Sequence, residues 1–145
     1  MIVLIDDQES DWRYLLKNQT ENIPIHFYKT YARFLKEYWQ NPQHFIKSLA
    51  FLVLDMRVPE LHKELDFGNK SYPVQDHNAG LIFLSHLDAL KLDKTTSIYI
   101  LTQIDITDDV KQRCYKYGVK AIFNKYTPDD RKKLAKAITD YTQGK

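Results

Sequence analysis

The most constraining stretch of this chain is Ala50-Phe51-Leu52-Val53-Leu54-Asp55, an unbroken apolar run that stops at a carboxylate. A run without polar alternation reads as a strand covered on both faces, and such strands belong in the middle of a parallel sheet. Ligands of open parallel sheets gather at the carboxyl ends of the strands. Asp55 therefore stands where such a sheet does its chemistry. Alone, a strand-end Asp is more readily a turn cap, so its meaning depends on what the other strand ends carry.

Ile2-Val3-Leu4-Ile5 is a second such run and ends at Asp6 and Asp7. Ile25 to Tyr28 reads as a strand, Ser97 to Leu101 as another that ends at Thr102, and Val119 to Phe123 as a fifth, followed closely by Lys125. Between them apolar residues recur at the three-and-four spacing of a helix face. These are Trp12, Leu15 and Leu16; Phe34, Leu35, Tyr38 and Trp39 behind a Thr30 cap; Leu81, Phe83, Leu84, Leu87 and Leu90; Ile106, Val110, Cys114 and Tyr117; and Leu134, Ile138 and Tyr141. The second helix should end near Asn41-Pro42, with a further turn over 43–49, Gly118 should stop the fourth, and Thr127-Pro128 should open the fifth. Strands alternating with helices predict an α/β fold: a five-stranded parallel sheet with helices on both faces. At 145 residues the chain reads as one domain, 1–145. Residues 56–78 show no sustained period and contain Pro59, Gly68 and Pro73, which predicts a long loop of the kind that is functional or disordered.

The chain is 43% hydrophobic and 28% charged, as expected of a globular protein, and its net charge of +2 gives no case for a nucleic-acid partner. Arg131, Lys132, Lys133 and Lys136 are interspersed with Asp129, Asp130 and Asp140, the pattern of a solvated helix face. Cys114 is the only cysteine and sits in a helical apolar pattern, so no internal disulfide forms and a reducing cytoplasm is expected. No apolar run is long enough to cross a bilayer, and Ile2 to Ile5 is too short for a signal peptide, so no membrane partner is expected.

In a parallel sheet Asp6, Asp7, Asp55, Thr102 and Lys125 share one edge. Each has an ordinary alternative: the acids and Thr102 as helix caps, Lys125 as a solvated surface group. Together they make a different pattern. Crowded carboxylates repel, and a hard divalent cation with room for waters, Mg²⁺, relieves that repulsion. A carboxylate beside Mg²⁺ is a nucleophile toward phosphorus, and the metal, an ammonium and a hydroxyl stabilise the charge of a transferred phosphoryl group.

On these residues the chain resembles the receiver domain of two-component response regulators over essentially its full length. The resemblance rests on Ile5-Asp6-Asp7, Leu54-Asp55 with Pro59 four residues on, Gly80-Leu81-Ile82-Phe83-Leu84 opening the third helix, Leu101-Thr102, and the run from Gly118 to Lys125. It implies a flavodoxin-like fold with strand order 2-1-3-4-5 and Asp55 as phosphoacceptor. It also implies Asp7 as a direct Mg²⁺ ligand, Asp6 acting mainly through metal-bound water, and the main-chain carbonyl of Arg57 as a further ligand. Thr102 and Lys125 would contact the phosphoryl group. A histidine kinase or phosphotransfer protein would donate it, and a downstream effector protein would read it.

The chain departs from the family in several places. The 60–78 segment is an insertion beside Asp55, either a tolerated surface loop or a lid or partner-docking element; its His62 and His77 are expected at the surface. Gln103 and Arg57 are bulky where they should line the approach to the phosphoryl group, predicting altered dephosphorylation and donor access. Tyr126 stands where a Pro is usual, which questions the usual cis peptide and loop shape. Ile122 stands at the usual aromatic switch position, with Phe123 on the opposite strand face. The expectation is a stand-alone receiver that phosphorylates itself without being a turnover enzyme. The alternatives are a phosphorylation-independent pseudo-receiver that binds partners through the insertion, and a hydrolase with Asp55 as nucleophile; Arg57, where haloacid-dehalogenase-type phosphatases carry a second Asp, argues against the hydrolase.

Overall fold

Five short strands, each apolar on both faces, set the middle layer of the protein. The structure is a computed structural model and describes residues 1–8, 25–56, 64–74, 78–93, 95–102 and 106–143. In chain order the elements are β1 (Ile2–Ile5), β2 (Ile25–Tyr28), α1 (Tyr31–Gln40), α2 (Pro42–Ser48), β3 (Phe51–Asp55), β4 (Glu64–Asp66) and β5 (Ser71–Pro73). There follow α3 (Ala79–Ser85), a 3-10 turn (Leu87–Leu90), β6 (Ser97–Thr102), α4 (Asp108–Lys116), β7 (Val119–Asn124) and α5 (Pro128–Gln143). The helix expected around Trp12 to Gln19 lies outside the described residues.

The main sheet runs β2-β1-β3-β6-β7, all neighbours parallel. Counting only its own strands, this is the expected order 2-1-3-4-5. β1 and β3 are central and buried at every residue, as their continuous apolar runs require. Alternation divides the sheet into two cores. Val3, Ile5, Leu52, Leu54, Ile98 and Ile100 face α1 to α4, while Ile2, Leu4, Phe51, Val53, Leu101 and Phe123 face α5. In β7 the register skips a residue, pairing Ile98 with Val119 but Tyr99 with Ala121. This bulge at Lys120 lets Val119 and Ala121 serve opposite cores. Ile122 packs into the first core and Phe123 into the second, where its ring lies 5.8 Å from Tyr99.

The helix ends follow their capping chemistry. Thr30 accepts a hydrogen bond from the Arg33 amide at 3.1 Å, and Thr107 accepts one from Val110. Pro42 starts α2 as a separate helix, where one further turn was expected. The helical run over 79–90 breaks at His86 into α3 and the 3-10 turn, and the Tyr38 hydroxyl donates to the Leu90 carbonyl of that turn. Gly118 takes φ +96°, a left-handed conformation that ends α4 without strain. On α5, Leu134 and Ile138 are buried while Lys132, Lys133 and Lys136 are exposed, and Lys136 pairs with Asp140 at 2.6 Å.

The 60–78 insertion departs from expectation. Its described part is not a loop but an antiparallel hairpin, β4 paired with β5, seated on α1 and α3. Leu65 and Phe67 are buried, Gly68 turns at φ +89°, and the Trp39 indole donates to the Asp66 carbonyl at 2.9 Å. A Cβ on Gly68 would lie 2.8 Å from the Trp39 ring, so this glycine permits both the turn and the packing. Tyr72 stacks on the His86 ring with centroids 3.5 Å apart. The hairpin is thereby part of the aromatic core.

Candidate functional site

The sheet register brings the polar strand ends together. Ile5 pairs with Leu54, so Asp6 and Asp55 emerge side by side; Asp55 pairs with Leu101, and Thr102 lies one residue beyond. Beside them, β7 ends at Asn124 opposite Thr102, and the Lys125 amide donates to the Thr102 carbonyl at 2.7 Å. Asp6, Asp55, Thr102 and Lys125 are all buried, and Asp7 is exposed at the rim. Each offering one oxygen, Asp6, Asp7 and Asp55 come within 4.8 Å of one another.

Lys125 reaches across this group. Its Nζ lies 2.8 Å from Asp6 Oδ1 and 3.1 Å from Asp55 Oδ2. Burial opposes the ammonium charge, but hydrogen bonds and charge interactions with Asp6 and Asp55 outweigh it, and its pKa lies above the ordinary lysine value. The Asp6 carboxylate also accepts from the Gln8 amide at 2.8 Å. Burial first, and the Asp6 charge second, raise the Asp7 pKa, while Lys125 pulls the other way. Three carboxylates this close make a strongly acidic site, which the Lys125 ammonium offsets in part. Hard oxygen donors around it suit Mg²⁺, and the arrangement fits that ion.

The backbone behind Asp55 is held from two sides. The Tyr31 hydroxyl donates to the Asp55 carbonyl at 2.5 Å, and the Met56 amide donates to the Leu101 carbonyl at 3.1 Å. Gly80, at the start of α3, packs so closely that a Cβ there would be 2.7 Å from Met56 Cα and 3.1 Å from the Asp55 carbonyl oxygen. The sequence reading did not single out Tyr31. It lies three residues before Phe34 on the same helix face, a spacing that signals burial but not a hydrogen bond. Arg57, Gln103, His62 and His77 lie outside the described residues, and so do the expectations placed on them. Among the described residues no peptide bond is cis, the one before Tyr126 included. A groove of about 770 Å³ between α1 and the hairpin lies away from the acidic group and is lined by residues such as Leu35, Trp39, Glu64 and Asp66.

The fold is that of response-regulator receiver domains. Solved structures with this fold include a receiver domain from Rhodospirillum rubrum, with TM-score 0.63 and 18% identity over 99% of this chain and 94% of that one. The phosphorylated cyanobacterial phytochrome response regulator RcpA is similar with TM-score 0.61 and 15% identity, over 97% and 91% of the two chains. A Burkholderia pseudomallei response regulator, solved with a phosphorylated aspartic acid, a calcium ion and citrate, has TM-score 0.57 and 16% identity over 98% of this chain and 68% of its own. No protein-family model matches the sequence, and no curated protein matches it. Among the described residues no helix is long and apolar enough to cross a membrane.

Proposed function

We propose that this chain is a receiver that accepts a phosphoryl group on Asp55 in a Mg²⁺-dependent reaction and signals through protein contacts. The observation that carries this reading is the buried Lys125 ammonium bridging Asp6 and Asp55, with Asp7 completing a triad of carboxylates at the sheet edge. The fold shared with RcpA, and the phosphorylated aspartic acid and calcium ion of the Burkholderia protein, support it.

An Asp55 carboxylate oxygen attacks the donor phosphorus, the bond from phosphorus to the leaving atom breaks (the imidazole nitrogen of a phosphohistidine, or the carboxylate oxygen of acetyl phosphate), and the leaving group departs with the electron pair. The product is an acyl phosphate on Asp55. Asp7 and Asp55 would hold Mg²⁺, with Asp6 acting through water and the Arg57 carbonyl as a further ligand, and the ion would supply charge neutralisation. Lys125 would follow the new negative charge, and Thr102 would hydrogen-bond it. The donor would be a histidine kinase or phosphotransfer protein, and the reader a cytoplasmic effector protein. The protein consumes its own carboxylate once per cycle and is not a turnover enzyme.

A second reading, a phosphorylation-independent binding module, draws on one observation. Ile122 and Phe123 are packed into separate cores, which leaves no aromatic at the switch position. Intact-mass spectrometry after incubation with acetyl phosphate separates the two. A gain of one phosphoryl group that requires both Mg²⁺ and Asp55, absent in Asp55→Asn, is expected. An unmodified wild type that also binds no Mg²⁺ would favour the binding module.

A further inference from the structure

We propose that Tyr31 is a positioning residue for the Asp55 centre, and that through the Phe83 ring it makes the placement of the 64–73 hairpin count at that centre. The proposal rests on the Mg²⁺-binding receiver reading above.

The peptide joining Asp55 to Met56 is where the chain leaves the central strand, so its plane sets how the Asp55 carboxylate sits and where the following residues start. That plane is gripped at both ends: Tyr31 donates to its carbonyl at 2.5 Å, and its N–H donates to Leu101 at 3.1 Å. The second grip is ordinary sheet pairing. The first is a side chain from α1, fully buried, and Gly80 leaves the room for it, since a Cβ there would sit 3.0 Å from the Tyr31 oxygen. A hydroxyl on a rigid ring, fixed by packing, holds its acceptor with little freedom to lose.

The Tyr31 ring is in turn set by the insertion. Its centroid lies 4.8 Å from Phe83, and Phe83 lies 6.0 Å from Phe67 of the hairpin turn. Phe67, Phe83 and Tyr31 are each no more than 1% exposed, so nothing but protein separates the hairpin from the Asp55 backbone along this path. Close-packed aromatic rings pass a displacement on rather than absorb it. A partner that lifts or presses the hairpin would thereby move the carbonyl that shares its residue with the phosphoacceptor carboxylate.

The test is Mg²⁺ affinity and phosphoryl uptake in wild type, Tyr31→Phe and Phe67→Leu, each with its thermal midpoint. Tyr31→Phe keeps the ring and removes only the donor. It is expected to weaken Mg²⁺ binding and slow uptake from saturating acetyl phosphate by about three- to tenfold, the scale of one hydrogen bond. The Asp55 and Met56 amide resonances should shift while the fold is retained. Phe67→Leu, read at a temperature where it is folded, should change Mg²⁺ affinity in the same direction. A Tyr31→Phe protein with a lowered midpoint but wild-type Mg²⁺ affinity and uptake would overturn the positioning role. Wild-type affinity in Phe67→Leu beside a shifted Tyr31→Phe would overturn the hairpin link. A wild type that binds Mg²⁺ but takes up no phosphoryl group would sink the phosphoacceptor reading alone, with Mg²⁺ affinity still deciding on Tyr31. A wild type that binds no Mg²⁺ overturns both.

Discussion

Lys125→Met isolates the electrostatic design of the sheet edge. In the wild type one ammonium serves two fully buried carboxylates, at 2.8 Å from Asp6 and 3.1 Å from Asp55. Replacing it with an apolar side chain of similar length keeps much of the packing and leaves both acids without that cation. Removing one partner of a buried ion pair costs about 3–5 kcal/mol, because the remaining charge stays buried. With roughly 2.1 cal/mol/K of unfolding entropy per residue, over the 145 residues of this chain, the thermal midpoint at pH 7 in chelator should fall by about 10–16 °C. One condition should restore stability. Mg²⁺ supplies the missing positive charge, and at a hundredfold excess over its Kd adds about 2.7 kcal/mol by mass action. In the wild type the raised Lys125 pKa makes this stabilisation complete below the ordinary lysine value of 10.5, and it is lost as pH rises through the higher folded value. Differential scanning calorimetry across pH, with and without Mg²⁺, reads all three. A loss below about 1 kcal/mol in chelator would mean that Lys125 behaves as a surface pair, and the account of the buried bridge would be wrong.

Asp7 runs the opposite way. Its raised pKa means that the native state holds the proton more firmly than the unfolded chain, so stability falls as pH rises above the ordinary value of 3.8 and through the native one. Asp7→Asn should therefore melt above wild type at pH 7 in chelator, lose that advantage toward acid, and fall below wild type in excess Mg²⁺; an Asp7→Asn protein that melts lower in chelator would contradict this. Gly80→Ala places its Cβ 2.7 Å from a backbone atom that no side-chain rotation can relieve, and urea denaturation should show a loss of about 1–3 kcal/mol together with reduced Mg²⁺ affinity. Unchanged stability would show that α3 shifts freely away from the Asp55 turn.

Most of what places the candidate site was readable from the residue pattern, because each central strand is a short apolar run ended by a polar side chain. Leu54-Asp55, Ile5-Asp6 and Leu101-Thr102 each mark a strand, its end and its edge at once. Alternation of strands and helices pointed to the parallel sheet, and its order 2-1-3-4-5 came with the resemblance to receiver domains. The hairpin did not, because Glu64–Asp66 and Ser71–Pro73 are three residues each, too short for a period to register. Its signals were local: the exposed-buried-exposed pattern of Glu64-Leu65-Asp66 and a glycine at the turn, both legible only once Trp39 and His86 are seen to receive it. Pro42 marked the end of α1, but a proline also suits the first turn of a helix, and there it starts α2. Tyr31 and Gly80 show the further limit. Spacing marks Tyr31 as buried and Gly80 as a helix start, but that one hydroxyl and one missing Cβ meet at the Asp55 carbonyl is a fact of three dimensions.

The most direct test of the phosphoacceptor reading is to locate the modified atom. Protein incubated with acetyl phosphate and Mg²⁺, then treated with borohydride to reduce the acyl phosphate, should yield homoserine at Asp55 and nowhere else by peptide mass spectrometry, with none formed in chelator. Reduction at another carboxylate, or phosphoryl uptake that persists in Asp55→Asn, would contradict it.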